Sequence, residues 1–227
     1  YASALSCLVD DEKEIGATVI DIGGGTTSIA SFRHGHPVFF SSLAVGGNNV
    51  TNDIAYGLTT SFAHAERLKT LHGCAFLTSQ DKSELINVYP VGEEDDSSIK
   101  QVPKSELISI ITPRIEETFE LVNDKLREHG LADISSHRVV LTGGGSQLSG
   151  IREVAAMVLD KQVRLGKPKN IVNLPDNLYN PSFSTCIGLL LFALNYTEKK
   201  PNKIINKPVH SEGGVLQGLV SWFKQNF

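Results

Sequence analysis

The sequence has little cysteine and less methionine: three Cys and one Met in 227 residues. Cys7, Cys74 and Cys186 are odd in number and far apart, so they form neither a zinc-ligand spacing nor a disulfide framework. That usage fits a reducing cytosol. Long apolar runs are also missing. No stretch reaches the roughly 20 residues that cross a bilayer as a helix, and no secretory leader is visible. Charge of one sign is lacking too. With 21 Lys and Arg against 25 Asp and Glu, the net charge of −4 gives the whole chain no case for binding nucleic acid. The only methionine is Met157 and the first residue is Tyr1, so we expect the chain to be the back part of a longer protein. With 41% hydrophobic and 20% charged residues, the composition is that of an ordinary globule.

Glycine is present where it counts. Ala17 to Phe32 reads as two strands joined by Gly23-Gly24-Gly25. Val19, Ile20 and Ile22 suit a buried strand. The three glycines carry no Cβ, so backbone can touch a ligand there and peptide N–H groups can converge on an anion. Thr26 and Thr27 add hydroxyl donors, and Asp21 at the strand end could hold a hydrated Mg²⁺ beside bound phosphate. The turn leads into another strand rather than a helix, which disfavours a P-loop or a dinucleotide fingerprint.

A second triplet, Gly143-Gly144-Gly145, follows the strand 138–142 and precedes a helix from about residue 150. Two glycine triplets after apolar strands suggest one nucleotide held between them. Between the triplets, Gly46-Gly47 is punctuation before a helix that Asn48 or Asn49 can cap, and Asp53 in that helix is a possible second carboxylate facing Mg²⁺ and water. Ser61 or Thr60 can cap a further helix that Gly73 ends. Glu66 and Lys69 share a face of it, as a surface ion pair or as the lining of a ribose pocket. A long helix from about 103 to 129 carries an apolar stripe and should bend or divide at Pro113. The charged segment 10–14 reads as a solvated turn, and 187–194, apolar almost all round, as a buried helix.

The end of the chain has its own pattern. Residues 197–212 are polar and Pro-containing, as in a flexible linker. In 214–227, Val215, Leu216, Leu219, Val220, Trp222, Phe223 and Phe227 fall on one side of a helical wheel. A helix of that length is too short to span a bilayer but can lie in its interface.

These pieces together resemble the actin-like ATPase superfamily, and specifically the FtsA family. The stretch 21–27 is similar to its second phosphate motif and 141–150 to its adenosine motif. The stretches 65–69 and 72–75 are similar to its ribose-side helix, and 50–55, 112–114 and 179–190 to further FtsA segments. The resemblance implies an α/β fold: the second lobe of an actin-like (ribonuclease H-like) ATPase, a mixed sheet with flanking helices, plus a C-terminal amphipathic helix. Subdomain 2A would take 17–45 and 137–183, and 2B would take 46–136. Residues 1–16 and 184–196 would return to 1A, 197–213 would be the linker and 214–227 the membrane-targeting helix.

The resemblance further implies ATP and Mg²⁺ as ligands, bound by Asp21, Gly23, Gly24, Gly25, Thr26, Thr27, Glu66, Lys69, Gly143, Gly144 and Gly145, with Asp21 reaching the metal through water. It implies partners as well: the FtsZ C-terminal tail, other divisome proteins, a second copy in filaments, and inner-membrane lipid at the septum, with Arg114 on the partner face. Ser28 stands where many relatives carry an acid, which implies at most a slow ATPase. The alternatives are a kinase or chaperone ATPase of the same superfamily, a pilus-assembly adaptor, or a fragment inactive by itself.

Overall fold

Strands rich in apolar and β-branched residues build a five-stranded sheet in which segments 36–43, 27–33, 17–22, 138–142 and 163–165 lie side by side in that order. The structure, a computed structural model, describes residues 1–78, 80–92, 99–132, 138–169, 171 and 174–199. After two short helices, α1 (Ala2–Cys7) and α2 (Asp10–Ile15), come β1 (Ala17–Ile22), β2 (Thr27–Arg33) and β3 (His36–Leu43) as an antiparallel meander. The β2–β3 turn has His34 and Gly35 both at positive φ, 51° and 75°, the primed geometry that matches strand twist.

Helices α3 (Gly47–Gly57) and α4 (Phe62–His72), the two-stranded sheet of β4 (Leu85–Val88) and β5 (Lys100–Pro103), and the helix α5 (Lys104–Glu128) follow. The chain then re-enters the main sheet with β6 (Arg138–Thr142), parallel to β1, and β7 (Val163–Leu165), parallel to β6, with α6 (Ile151–Leu159) as the crossover. The last described helix is α7 (Ser184–Lys199). Everything discussed below lies in one compact unit, Tyr1–Leu194.

The period of two along the strands divides the core. Ile20, Ile22, Ile29, Val139 and Leu141 join the apolar faces of α3, α4, α5 and α6 in one cluster. Ala17, Val19, Ala30, Phe32 and Val140 point the other way and pack with Ala4, Cys7 and Leu8 around α1. Both faces of the sheet are covered.

Four expectations are corrected. Segment 10–15 is a helix, α2, because the Glu12 carboxylate accepts the Val9 N–H at its start and is gripped by Arg164, Nε–Oε1 2.7 Å. The helix α5 is continuous through Pro113. Pro113 and Ser109, whose carbonyl loses its partner, are both exposed and water can replace that bond, while Leu107, Ile111, Ile115, Phe119 and Val122 carry the buried stripe onward. In α7, Ile187 is buried but Leu189 and Leu190 are 57% and 59% exposed, so the apolar octad is not an all-round buried helix. The helix also extends to Lys199, past the expected start of the linker at Thr197. The remaining linker and the apolar set 215–227 lie outside the described residues.

Candidate functional site

The first glycine triplet makes the β1–β2 connection. Gly23 N–H donates to the Thr26 carbonyl at 2.8 Å, which closes the turn. Gly24 and Gly25 are exposed, and their N–H groups have no hydrogen-bond acceptor among the described residues. Two adjacent peptide N–H groups at such a turn form the concavity that takes an anion. The turn is held from one side by backbone alone: Gly47 N–H donates to Gly23 O at 2.9 Å and Asn48 N–H to Gly24 O at 2.7 Å. A Cβ on Gly46 would lie 2.6 Å from Gly24 O, so this approach requires glycine. Asn49 secures the start of α3 by accepting the Gly46 N–H at 2.9 Å.

The next wall is α4, capped by Ser61, which accepts the His64 N–H at 3.2 Å. Its residues Glu66 and Lys69 meet Thr51 of α3. Lys69 Nζ donates to Gly47 O (3.0 Å), Thr51 Oγ1 (2.7 Å) and Glu66 Oε2 (2.7 Å), which uses all three of its N–H bonds. Burial alone would push the Glu66 carboxyl up. Hydrogen bonds from Lys69 and Thr51, with the ammonium's charge, outweigh it and hold the carboxyl below the ordinary glutamate value.

At the end of α4 the His72-Gly-Cys-Ala75 run bends across to the second glycine segment: Ala75 N–H donates to Ser149 O at 2.8 Å. There β6 ends in Gly143 at φ 83°, a 3₁₀ turn spans Gly144–Gln147, and Gly150 in the left-handed region starts α6. Gly145 presses on Ile22, where an added Cβ would meet the isoleucine side chain. Ile22 therefore separates the two triplets and touches both.

These walls enclose a single cleft of about 620 Å³. Gly23 and Gly24 line one side, Glu66 and Lys69 another, Gly144 and Gly145 a third, and Ile115, Phe119 and Ile151 give it apolar walls. Gly46, Gly47, Gln147, Leu148 and Ser149 line it too. Sequence reasoning marked Gly46-Gly47 only as punctuation; a glycine pair just before a helix start was the available signal of close backbone approach.

Other expected residues sit elsewhere. Gly25 and Thr26 are at the exposed tip of the turn. The Thr27 hydroxyl is buried and donates to Val45 O at 2.8 Å, so it is not available as a phosphate donor. Gly143 is not among the residues lining the cleft and packs against Asp21 and Ile22 instead. Asp21, the last residue but one of β1, lies opposite Ser28 and is not among the residues lining the cleft; its Oδ2 accepts a 2.6 Å hydrogen bond from Thr185 Oγ1.

Asp53, expected as a second metal carboxylate, is committed to Arg114, with Nε–Oδ2 at 2.5 Å and Nη2–Oδ1 at 3.0 Å. Arg114 also pairs with Glu117, and its hydrogen bonds to the Asp53 carboxylate, opposed by burial, hold the guanidinium's pKa above its ordinary value. An arginine with two carboxylate partners on α3 and α5 first braces those helices.

Sequence comparison finds the family of the cell division protein FtsA over residues 18–188. The FtsA of Agrobacterium fabrum is 44% identical over 100% of this chain and 52% of its own length. That of Escherichia coli is 35% identical over 100% of this chain and 55% of its own. The chain thus spans about half the length of these curated relatives.

Among solved structures, MreB 5 of Spiroplasma citri bound to AMPPNP superposes with a TM-score of 0.67 at 20% identity, covering 87% of this chain and 58% of that one. A PilM–PilN type IV pilus biogenesis complex superposes at 0.61 and 20% identity, covering 82% and 48%. At that identity these neighbours establish the actin-like ATPase fold, and the sequence match narrows it. By that match, over most of its described length, the chain belongs to the FtsA family of cell-division proteins.

Proposed function

We infer that the cleft holds one ATP, with its phosphates at Gly23–Gly24 and its adenosine at Gly144–Gly145, and that the protein uses it as an actin-like element of bacterial division. The observation that carries this is the convergence of two glycine turns, distant in sequence, at Ile22 in one cleft. The N–H groups of Gly24 and Gly25, without an acceptor among the described residues, suit a phosphate oxygen.

Asp21, half-buried at the strand end with Oδ2 held by Thr185, would hold hydrated Mg²⁺. The metal would neutralise phosphate charge. Ser28, across the ladder from Asp21, offers a hydroxyl where a carboxylate would order water better, so hydrolysis is slow and the nucleotide acts by favouring one conformation over another. Glu66 lies within reach of the ribose side of the cleft, while Lys69 acts on it through Gly47.

By family membership we infer the wider role. The protein binds the FtsZ tail on the face that carries Arg114, joins copies of itself and other division proteins, and rests on the cytoplasmic face of the inner membrane at the septum. Residues 214–227 would grip lipid there by apolar burial. Among the described residues no helix is long and apolar enough to cross a membrane.

The test uses a fluorescent ATP analogue titrated into the full chain with Mg²⁺. Gly145→Val, which drives a side chain into Ile22 and the cleft wall, is expected to abolish binding; unaltered affinity would remove the cleft from the account. Deletion of 214–227 is expected to release the protein from liposomes. Unchanged co-sedimentation would remove the anchor.

A further inference from the structure

We propose that Thr185 and Gly143 together fix the rotamer of Asp21, and that Thr185 is a positioning residue of the metal site. The inference rests on the role given to Asp21 above. It starts from an oddity in the second glycine triplet. Gly143 belongs to the segment expected to receive adenosine, yet it is absent from the cleft lining, and a Cβ there would overlap Asp21 Oδ1 and the Ile22 carbonyl. The missing side chain is therefore room for the carboxylate. At φ 83° Gly143 also takes a conformation that L side chains rarely adopt, so two separate constraints demand glycine at this place.

The other carboxylate oxygen, Oδ2, is held at 2.6 Å by the Thr185 hydroxyl. Thr185 comes 164 residues later in the chain, in the first turn of α7. What delivers it is a buried cluster one residue earlier. Ser184 is fully buried, its Oγ lies 2.7 Å from Thr142 Oγ1 and 3.2 Å from Cys7 Sγ, and its carbonyl accepts a 2.7 Å bond from Ser6 Oγ. These bonds tie the start of α7 to α1 and to the end of β6 without involving Asp21. The backbone that carries Thr185 is thus anchored independently of the carboxylate.

An aspartate that presents one oxygen to a metal-bound water must give up its side-chain rotation. A donor on the second oxygen removes that freedom in advance, as partners of metal ligands do elsewhere. Thr185 takes Oδ2, Gly143 leaves space for Oδ1, and the carboxylate is left one orientation. No feature of the sequence near residue 185 announces this, because the partner is brought in by the return of α7.

The experiment titrates Mg²⁺ against the affinity of a fluorescent ATP analogue in the full chain and its Thr185→Val, Thr185→Ser and Asp21→Asn variants, with crystal structures of the full chain and of Thr185→Val. Thr185→Val is expected to raise the Mg²⁺ needed for half its effect by about threefold to tenfold, the scale of one ordinary intramolecular hydrogen bond. Thr185→Ser is expected to restore the original requirement, and the valine variant to show the Asp21 carboxylate turned from its place beside Gly143. If Asp21→Asn raises the requirement while Thr185→Val changes neither it nor the Asp21 rotamer, the positioning role is overturned and the reading of Asp21 stands. If Asp21→Asn leaves the requirement unchanged, the reading of Asp21 falls and this inference with it.

Discussion

The two glycine turns look alike in sequence and are built in opposite ways. The turn at 23–25 joins strand to strand, projects outward, and is steadied from outside by the backbone of Gly47 and Asn48. Among the described residues, its chain neighbours apart, nothing lies within 4 Å of where a Gly25 Cβ would stand. The turn at 143–145 joins strand to a 3₁₀ turn and is pressed inward, with Gly143 and Gly145 both against Ile22. One set of glycines keeps peptide N–H groups open to a ligand; the other lets two segments of one lobe touch. Equal motifs therefore do different physical work, and substitution can separate them.

The largest expected contrast is in stability. Gly143→Ala adds a Cβ that meets backbone at positive φ and should destabilise the fold by about 2–4 kcal/mol, combining left-handed strain with overpacking. Gly25→Ala should stay within about 0.5 kcal/mol, as an exposed substitution with no neighbour does. Urea unfolding followed by circular dichroism measures both, and equal losses would erase the distinction.

A smaller effect comes from the brace behind the first turn. Lys69→Met removes three hydrogen bonds from a largely buried ammonium, 17% exposed, and leaves Glu66 without its counter-ion. We expect a loss of about 1–2 kcal/mol. Amide exchange should quicken at the hydrogen-bonded N–H groups of Gly23, Gly47 and Asn48, but not at those of Gly143 and Ser146. Uniform quickening at both turns would show that the brace is not local.

The smallest effect is a pH dependence. The Glu66 carboxyl is held below its ordinary value of 4.5 in the fold, so it contributes stability that is fully present above that value. The contribution disappears as pH falls from 4.5 through the lower folded-state value. Its side chain is 45% exposed, which keeps the amount small. Glu66→Gln should therefore narrow its stability gap to the unmodified chain as pH drops below 4.5, read from thermal midpoints. A gap that stays constant down to acid unfolding would show that Glu66 is not held by Lys69 and Thr51.

Much of this lobe is legible in the residues. The β-branched run 17–22, the strand pattern after it, the glycine turn between them, the stripe of α5 and the Ser61 cap of α4 follow from local spacing, whereas α3 begins earlier than Asn48 or Asn49, with Gly46 as its N-cap. What is not legible depends on a neighbour distant in the chain. Segment 10–15 reads as a charged turn until Arg164 is placed beside Glu12. Pro113 reads as a break until its exposed face is known. The octad 187–194 reads as buried because apolarity alone does not say what faces Leu189 and Leu190. Within the site, spacing puts Glu66 and Lys69 on one helix face and the family resemblance assigns them to the cleft, the glycine pair Gly46-Gly47 marks a close approach without naming what it approaches, and Thr185 arrives through tertiary return with no local mark.

The most direct test is a crystal structure of the full chain with Mg²⁺ and AMPPNP. The account predicts one nucleotide in the cleft, with its phosphates on the Gly23–Gly24 backbone, its base against Gly144–Gly145 and Mg²⁺ water-bridged to Asp21. A nucleotide bound away from Ile22, or one that leaves either glycine turn untouched, would contradict it.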